Sequence, residues 1–522
     1  MIETLSNTSA EAARTAAAAV SDPAVETIRY AQGNCALLIG PAERLLGWLE
    51  AVRVAGLRPA LLSTGTGDAA RLPAGLRALA GQPAAINGWM GNFTASLRTA
   101  GEPASLAPLS FHADGHFDWV LDFTAAPSGG AAISPPGYYR LPAGDFTVFK
   151  GALIEIVRHL RDGFRKPRYF RFDASLCAHE RQGFTGCNAC VVACPAHAIS
   201  IGKGSVSIEP HLCRGCGTCA TVCPSSAVRY NFPDTQVQLV RLAAALLAWQ
   251  QAGGDLPGLW IGAEDAPPGW LAWPIDAVAS LGLEFWLFAL CLGCTRIAVS
   301  IEREREASRV AIEQQLAVGR TLLTGLGYPP VLGRADDGDD LLQVPELTPL
   351  PLKAIPAGDD KRTLLFAALD HLVEYGSAVP VAVDLSDVAS PLGEVRLDKS
   401  RCTLCGTCVN VCPSGALTFS AANRIDFVES RCLQCNLCAG VCPEQAVALT
   451  PRLLTSRSAR ETPRLVAEAE MFLCSDCGDA FASRAMVERS RVMMAGHPMF
   501  EGGKARLMDL CPACRQKAVA LF

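Results

Sequence analysis

Short apolar runs alternate with segments of helical periodicity in two long regions of the chain. The first is residues 1–168, where CALLIG (35–40) reads as a buried strand, PAERLLGWLEAVRVAG (41–56) as a helix and PALLSTG (59–65) as a second strand. DWVLDF (118–123) adds a strand, and ALIEIVRHLRDGF (152–164) adds a helix that runs out into the basic stretch RKPRYFR. The second region is residues 233–392. Helix VQLVRLAAALLAWQQAG (237–253) precedes strand LPGLWIGA (256–263), and helix AVASLGLEFWLFALCLG (277–293) precedes strand TRIAVSI (295–301). A polar helix, EREASRVAIEQQLAVGRTLLTGLG (304–327), follows, and the acidic loop RADDGDD (334–340) interrupts the pattern. This rhythm predicts a parallel sheet covered by helices. The most apolar stretch, 285–301, contains Gly293 and Arg296 and follows Glu284, so it reads as a buried helix leading into a strand rather than a membrane span.

Between and after these α/β regions lie two cysteine blocks, 169–232 and 393–455, and a tail, 456–522, read as a basic linker followed by a small cysteine-containing unit. The blocks form an internal repeat: YFRFDASLC (169–177) matches EVRLDKSRC (394–402), and AVRYNF (227–232) matches AVALTP (446–451). The expected architecture is therefore α/β and α+β multidomain, with a zinc-ribbon-like C-terminal tail.

Composition narrows the chemistry. The formal charge of −5 offers no basic surface for nucleic acid. Twenty-three cysteines in tight C-x2-C groups, an odd number in a chain of 522 residues, suit metal binding in a reducing compartment better than a disulfide framework. The N-terminus shows neither an apolar core after positive charges nor a twin-arginine pair, so a cytoplasmic, soluble protein is expected.

In the second block, Cys402, Cys405, Cys408 and Cys412 precede Pro413, and Cys432, Cys435, Cys438 and Cys442 precede Pro443. Each is a complete C-x2-C-x2-C-x3-C-P run, the signature of bacterial two-cluster ferredoxins, in which the fourth cysteine serves the other cluster. Proline fits after it because a helix's first turn has no internal bond to lose. The expected ligand sets are Cys402, Cys405, Cys408 and Cys442 for one [4Fe–4S] cluster and Cys432, Cys435, Cys438 and Cys412 for its neighbour. The first block has one regular run, Cys213, Cys216, Cys219 and Cys223 before Pro224. Its other run is stretched, with nine residues between Cys177 and Cys187 before Cys190, Cys194 and Pro195. A loop inserted after the first ligand accounts for the gap, giving Cys177, Cys187, Cys190 and Cys223 for one cluster and Cys213, Cys216, Cys219 and Cys194 for the other. Four [4Fe–4S] clusters are expected.

Cys474 and Cys477 with Cys511 and Cys514 form C-x2-C…C-x2-C, a signal for a tetrahedral four-thiolate site. Zinc and rubredoxin-like iron share that ligand set, and zinc is favoured because small tails of this kind need a metal to fold. His497, between the pairs, reads as a packing residue. Cys291, Cys294 and Cys35 sit in apolar segments and read as core. The turn after CALLIG is GPAERLLG, without G-x-G-x-x-G, so no nucleotide site is expected there. The basic run Arg165, Lys166, Arg168 and Arg171 reads as a solvated helix exit, with a docking face as the alternative.

The order KPRYFRFDASLCAHERQGFTGCNACVVACP, HLCRGCGTCATVCP, LGLEFWLFAL, CTLCGTCVNVCPSGAL, CLQCNLCAGVCPEQAV, FLCSDCG, GHPMF and LCPACR resembles the large multi-cluster 4Fe–4S proteins of proteobacteria associated with formate dehydrogenase. The resemblance implies electron transfer to or from a formate dehydrogenase-type partner, or a role in that enzyme's maturation. A non-catalytic relay, an assembly protein, and an oxidoreductase subunit with a flavin in an α/β region are the three functions it leaves open.

Overall fold

The computed structural model describes the chain apart from residues 1, 66–71, 74, 126–132, 142–144, 182, 336–345, 359, 422, 501 and 520–522. Most of the acidic loop RADDGDD lies outside the described residues.

CALLIG forms the central strand, Cys35–Gly40, of a five-stranded parallel sheet whose order is 78–80, 58–63, 35–40, 119–122 and 138–140. All six of its residues are buried, which is why the run is apolar without alternation. Ala36 and Leu38 face a core filled by Leu45 and Val52 of helix Ala42–Val54 and by Phe149 and Ile156 of helix Phe146–Asp162. Cys35, Leu37 and Ile39 face the other way, onto Phe93, Leu106, Leu109 and Phe117. There a small antiparallel sheet (83–87, 94–97, 104–105), rather than a helix, covers the parallel one.

The second α/β region holds a four-stranded parallel sheet in the order 270–273, 258–261, 297–299 and 332–334. Helix Leu283–Cys291 is buried along its whole length, between helices Thr235–Gln251, Glu306–Gly325 and Lys361–Tyr375. This accounts for the most apolar stretch of the chain, and no helix among the described residues is long and apolar enough to cross a membrane. Cys291 and Cys294 belong to this core, where burial pushes the Cys291 thiol up to about 12 and the Cys294 thiol higher still. The first helix, Ile2–Ala19, does not pack on the sheet that follows it in sequence. It lies along helix Thr235–Gln251, with Ala13 fully buried against this second core.

Both cysteine blocks fold as paired antiparallel strands around short helices. In the first, 170–172 pairs with 228–230 and 199–201 with 206–208. In the second, 393–397 pairs with 447–451 and 417–421 with 424–427. The sequence repeat thus corresponds to the same strand pair in each module. Residues 464–468, inside the stretch read as a linker, add a third strand beside 424–427. Arg452 and Arg464 fix this strand by each pairing with both Glu394 and Glu429, at 2.7–3.1 Å.

Candidate metal centres

The structure brings the sixteen motif cysteines together in four quartets, two per module. Cys190 has Cys223, Cys187 and Cys177 as its thiol neighbours, and Cys219 has Cys213, Cys216 and Cys194. Cys408 is surrounded by Cys402, Cys405 and Cys442, and Cys438 by Cys432, Cys435 and Cys412. In each quartet the fourth cysteine of one run has crossed to the other, because the short helices 189–192 and 218–222, and likewise 407–410 and 437–440, pack against each other.

The backbone around the quartets is shaped for a multi-negative group. Residues on both sides of a central cysteine take left-handed conformations at Gly215 and Gly217, at Leu404 and Gly406, and at Gln434 and Asn436. Leu404, Gln434 and Asn436 do so although each carries a Cβ, a strain of about 1–3 kcal/mol per residue that persists only where surrounding structure imposes it. Such alternation turns successive N–H groups to one side and makes an anion-binding concavity. A further left-handed residue follows every Cys-Pro: His197, Ser226, Gly415 and Gln445. Backbone N–H groups then reach sulfur directly, from Ala198 to Cys194 at 3.3 Å, Val228 to Cys223 at 3.5 Å and Ala446 to Cys442 at 3.3 Å. Side chains add Thr218 Oγ1 to Cys216 at 3.4 Å and Gln434 Nε2 to Cys432 at 3.2 Å.

Cys187 departs from this pattern. Asn188 has φ −125°, and the flanks of Cys187 contain no left-handed residue. The nine-residue segment between Cys177 and Cys187 forms a small hairpin, with Glu180–Arg181 pairing with Phe184–Thr185 around Gly183 at φ +82°. His179, almost fully buried, closes the hairpin's base: its Nδ1 donates to the Cys187 carbonyl at 3.0 Å, while Cys187 N donates to Ala178 O at 2.9 Å. The hairpin thus replaces the usual turn with its own hydrogen bonds.

These quartets suit polynuclear clusters rather than single ions. Among the described residues, only the four tail cysteines and one histidine–aspartate group in the N-terminal domain bring three or more ligand atoms within 4.8 Å of one another. The sixteen stand wider, and small cavities open between Cys402, Cys405, Cys408 and Cys442 and between Cys412, Cys432, Cys435 and Cys438. Burial pushes the Cys190 and Cys408 thiols up to about 12, and neighbouring thiolates add to the shift. Burial thus disfavours the thiolate form of these two cysteines, and iron bound there would supply the positive charge that stabilises adjacent thiolates. Removing a donor to sulfur should show in the potential. Gln434→Met is expected to lower the midpoint of the cluster that Cys432 would hold, because a hydrogen bond to sulfur favours the more negative reduced core. One such bond, about 1 kcal/mol, corresponds to about 40 mV for one electron. An EPR-monitored redox titration measures it, and an unchanged or raised midpoint counts against the assignment.

The tail builds a different kind of site. Hairpin Met471–Leu473/Ala480–Ser483 presents Cys474 and Cys477, while helix Pro512–Val519 and the residue before it supply Cys514 and Cys511. Cys477 and Cys511 sulfurs are 3.7 Å apart, and Cys511 N donates to Cys474 sulfur at 3.3 Å. The backbone N–H of Cys477, above all, lowers the Cys474 thiol, while the neighbouring thiols raise that of Cys477. His497 stays outside the four-sulfur group and lies beside Phe500.

The basic run before the first block is not a solvated helix exit throughout. Arg165–Pro167 is a strand paired with Thr27–Arg29, and Lys166 is buried, its Nζ donating to the carbonyls of His211 and Cys213 at 2.8 and 2.5 Å. Arg168 pairs with Glu26 and Arg171 with Asp234. Tyr30 also donates to His211 O at 2.5 Å and Trp89 stacks on the His211 ring, so the N-terminal domain is seated on the loop that carries Cys213. Sequence patterning could not show this, because a lysine in a basic run carries no mark of burial.

The two modules also meet. Gly186, next to Cys187, lies so close to Leu437 of the second module that a Cβ on it would come within 2.5 Å of the leucine Cγ. A large cleft at this junction is lined by Gly186, Cys187 and Asn188 from one side and by Leu433, Cys435 and Asn436 from the other. Adjacent residues at the start of helix Lys361–Tyr375 tie both modules to the α/β core. Lys361 Nζ donates to the carbonyls of Ala220 and Thr221, and Arg362 donates to those of Ser430 and Cys432 at 2.9 and 3.0 Å.

The 4Fe-4S dicluster domain family matches the chain twice, over residues 185–227 and 401–446. The first match begins after Cys177, where the inserted hairpin displaces the first ligand from its usual spacing. No curated protein matches the chain. Two dicluster domains, each with cysteines gathered in quartets under converging N–H groups, make this chain a multi-cluster, ferredoxin-type iron–sulfur electron-transfer protein.

Proposed function

We propose that the protein is a four-cluster relay, passing single electrons between a formate dehydrogenase-type partner and an acceptor. Cys177, Cys187, Cys190 and Cys223 would hold one [4Fe–4S] cluster, and Cys213, Cys216, Cys219 and Cys194 a second. In the other module Cys402, Cys405, Cys408 and Cys442 would hold the third, and Cys432, Cys435, Cys438 and Cys412 the fourth. Bound there, the clusters supply reversible one-electron chemistry. The tail cysteines would hold zinc.

The observation that carries the relay reading is that Cys187 and Cys435 line the same cleft at the module junction and lie close enough for their charges to interact. Within each module the short helices already place one quartet beside the other. The junction adds a link between the modules, which supports an order in which the quartets of Cys187 and Cys435 stand inside and those of Cys213 and Cys402 at the two ends. Two isolated modules storing electrons independently would not require this abutment, nor the paired anchors Lys361 and Arg362.

The formate dehydrogenase partner is supported by the resemblance of the cluster motifs, the intervening α/β sequence and the cysteine tail in their order. It is tested by anaerobic co-purification of a tagged full-length chain from its native host, with formate-dependent dye reduction assayed in the eluate. Activity that follows the tag is the expected result. An eluate with full iron content and no activity removes the formate link while leaving the relay itself standing.

A further inference from the structure

The loop before strand Trp119–Asp122 reads HADGHFD, with His112, Asp114, His116 and Asp118 in seven residues. Gly115, at φ +79° and packed against Ala107, turns the loop back on itself and stacks the two imidazoles at 4.0 Å with their planes 9° apart. Both rings direct Nε2 toward Asp118: His112 Nε2 is 2.7 Å from Oδ2, and His116 Nε2 is 3.6 Å from Oδ1. Asp118 is 1% exposed and is itself fixed by the backbone N–H of Cys35 at 2.8 Å. The other nitrogen of His116, Nδ1, lies 2.5 Å from the Asp114 carboxylate.

The Asp114 contact occupies Nδ1 of His116 and so directs its Nε2 toward the buried carboxylate that Nε2 of His112 also reaches. Two imidazole nitrogens and one buried carboxylate thus converge on a single point, where one metal ion could take all three as ligands, with Asp114 in the place of the outer carboxylate that orients a ligating histidine.

We propose that His112, His116 and Asp118 form a mononuclear site for a borderline divalent transition ion of the zinc type, with Asp114 as the outer-sphere carboxylate that orients His116. Two imidazole nitrogens and one carboxylate oxygen, all within 4.8 Å of one another, match the donor set such ions take. Three protein ligands leave a coordination position open. Solvent can reach the site, since the side chain of His112 is 32% exposed. The site is separate from the cysteine quartets and from the four tail sulfurs, and it holds whether or not the relay reading does.

The test uses the full-length chain, with clusters intact, titrated anaerobically with Zn2+ and with Co2+. Wild-type protein is expected to bind one more equivalent of Zn2+ than His116→Ala at equal iron content. The extra Co2+ should show ligand-field bands without the thiolate charge-transfer absorption of the tail site. Asp114→Asn, a change at a solvent-facing residue that leaves the fold in place, should keep the stoichiometry and weaken binding by about 10–100-fold. Equal Zn2+ uptake by wild type and His116→Ala overturns the proposal. Should His116→Ala lose its iron, and with it its fold, Asp114→Asn decides: unchanged affinity overturns the site and weakened affinity sustains it.

Discussion

Cys435→Ser is expected to split the protein into two magnetically separate halves while leaving it folded. The substitution removes a ligand from an inner quartet, so roughly a quarter of the cluster iron should be lost. Three cysteines of that quartet remain, and Arg362, which anchors the neighbouring Ser430 and Cys432 carbonyls, is untouched. On reduction, the two clusters of the first module should still show mutual spin coupling. The cluster held by Cys402, Cys405, Cys408 and Cys442 should give a simple, uncoupled EPR signal. Cys405→Ser, at the outer end of the same module, is the control. It should cost the same fraction of iron yet leave coupling across the junction, because the quartets of Cys187 and Cys435 that border the shared cleft both remain. Identical spectra for the two variants would mean that the file of quartets is not continuous, and the relay reading would fall with it.

The second large effect concerns the tail. Its core is four buried residues, Cys474, Leu507, Leu510 and Cys511, with Phe481, Cys514 and Ala518 packed around them. So small an apolar cluster cannot fold some fifty residues unaided. A four-thiolate metal contributes about 10–16 kcal/mol to such a unit, so its binding energy is the tail's folding energy. Cys511→Ser is therefore expected to release one metal equivalent and expose residues beyond Glu470 to limited proteolysis, with cluster iron unchanged. The released metal identifies itself: zinc is colourless, whereas a single iron on four thiolates absorbs in the visible. A tail equally protease-resistant in wild type and variant would show that packing on the second module, such as the Ser483 hydroxyl on the Thr403 carbonyl, suffices to hold it.

The sequence by itself marked the cysteine runs, because ligand spacing is a local property: C-x2-C-x2-C-x3-C-P is the pattern that wraps one cluster and hands its last thiolate to another. It determined the central strand 35–40 and the buried helix 283–291 as well, since complete burial leaves a continuous apolar run that competing patterns do not imitate. What it could not carry was anything decided by contact between distant segments. Helix Ile2–Ala19 is an ordinary amphipathic helix in isolation, and only packing seats it on Thr235–Gln251 rather than on the sheet that follows it. Residues 464–468 look like linker because a third, edge strand needs few apolar positions, and Lys166 looks solvent-facing until the loop carrying Cys213 closes over it. The His112, His116 and Asp118 group gives a faint local signal, two histidines and an aspartate at short spacing. Its meaning appears only when Gly115 folds the rings together over a carboxylate buried at the start of a strand. The approach of Cys187 to Cys435 leaves no local trace at all, because two cysteines 248 positions apart are brought near each other by the packing of Gly186 on Leu437 and by the anchoring of both modules to one core through Lys361 and Arg362.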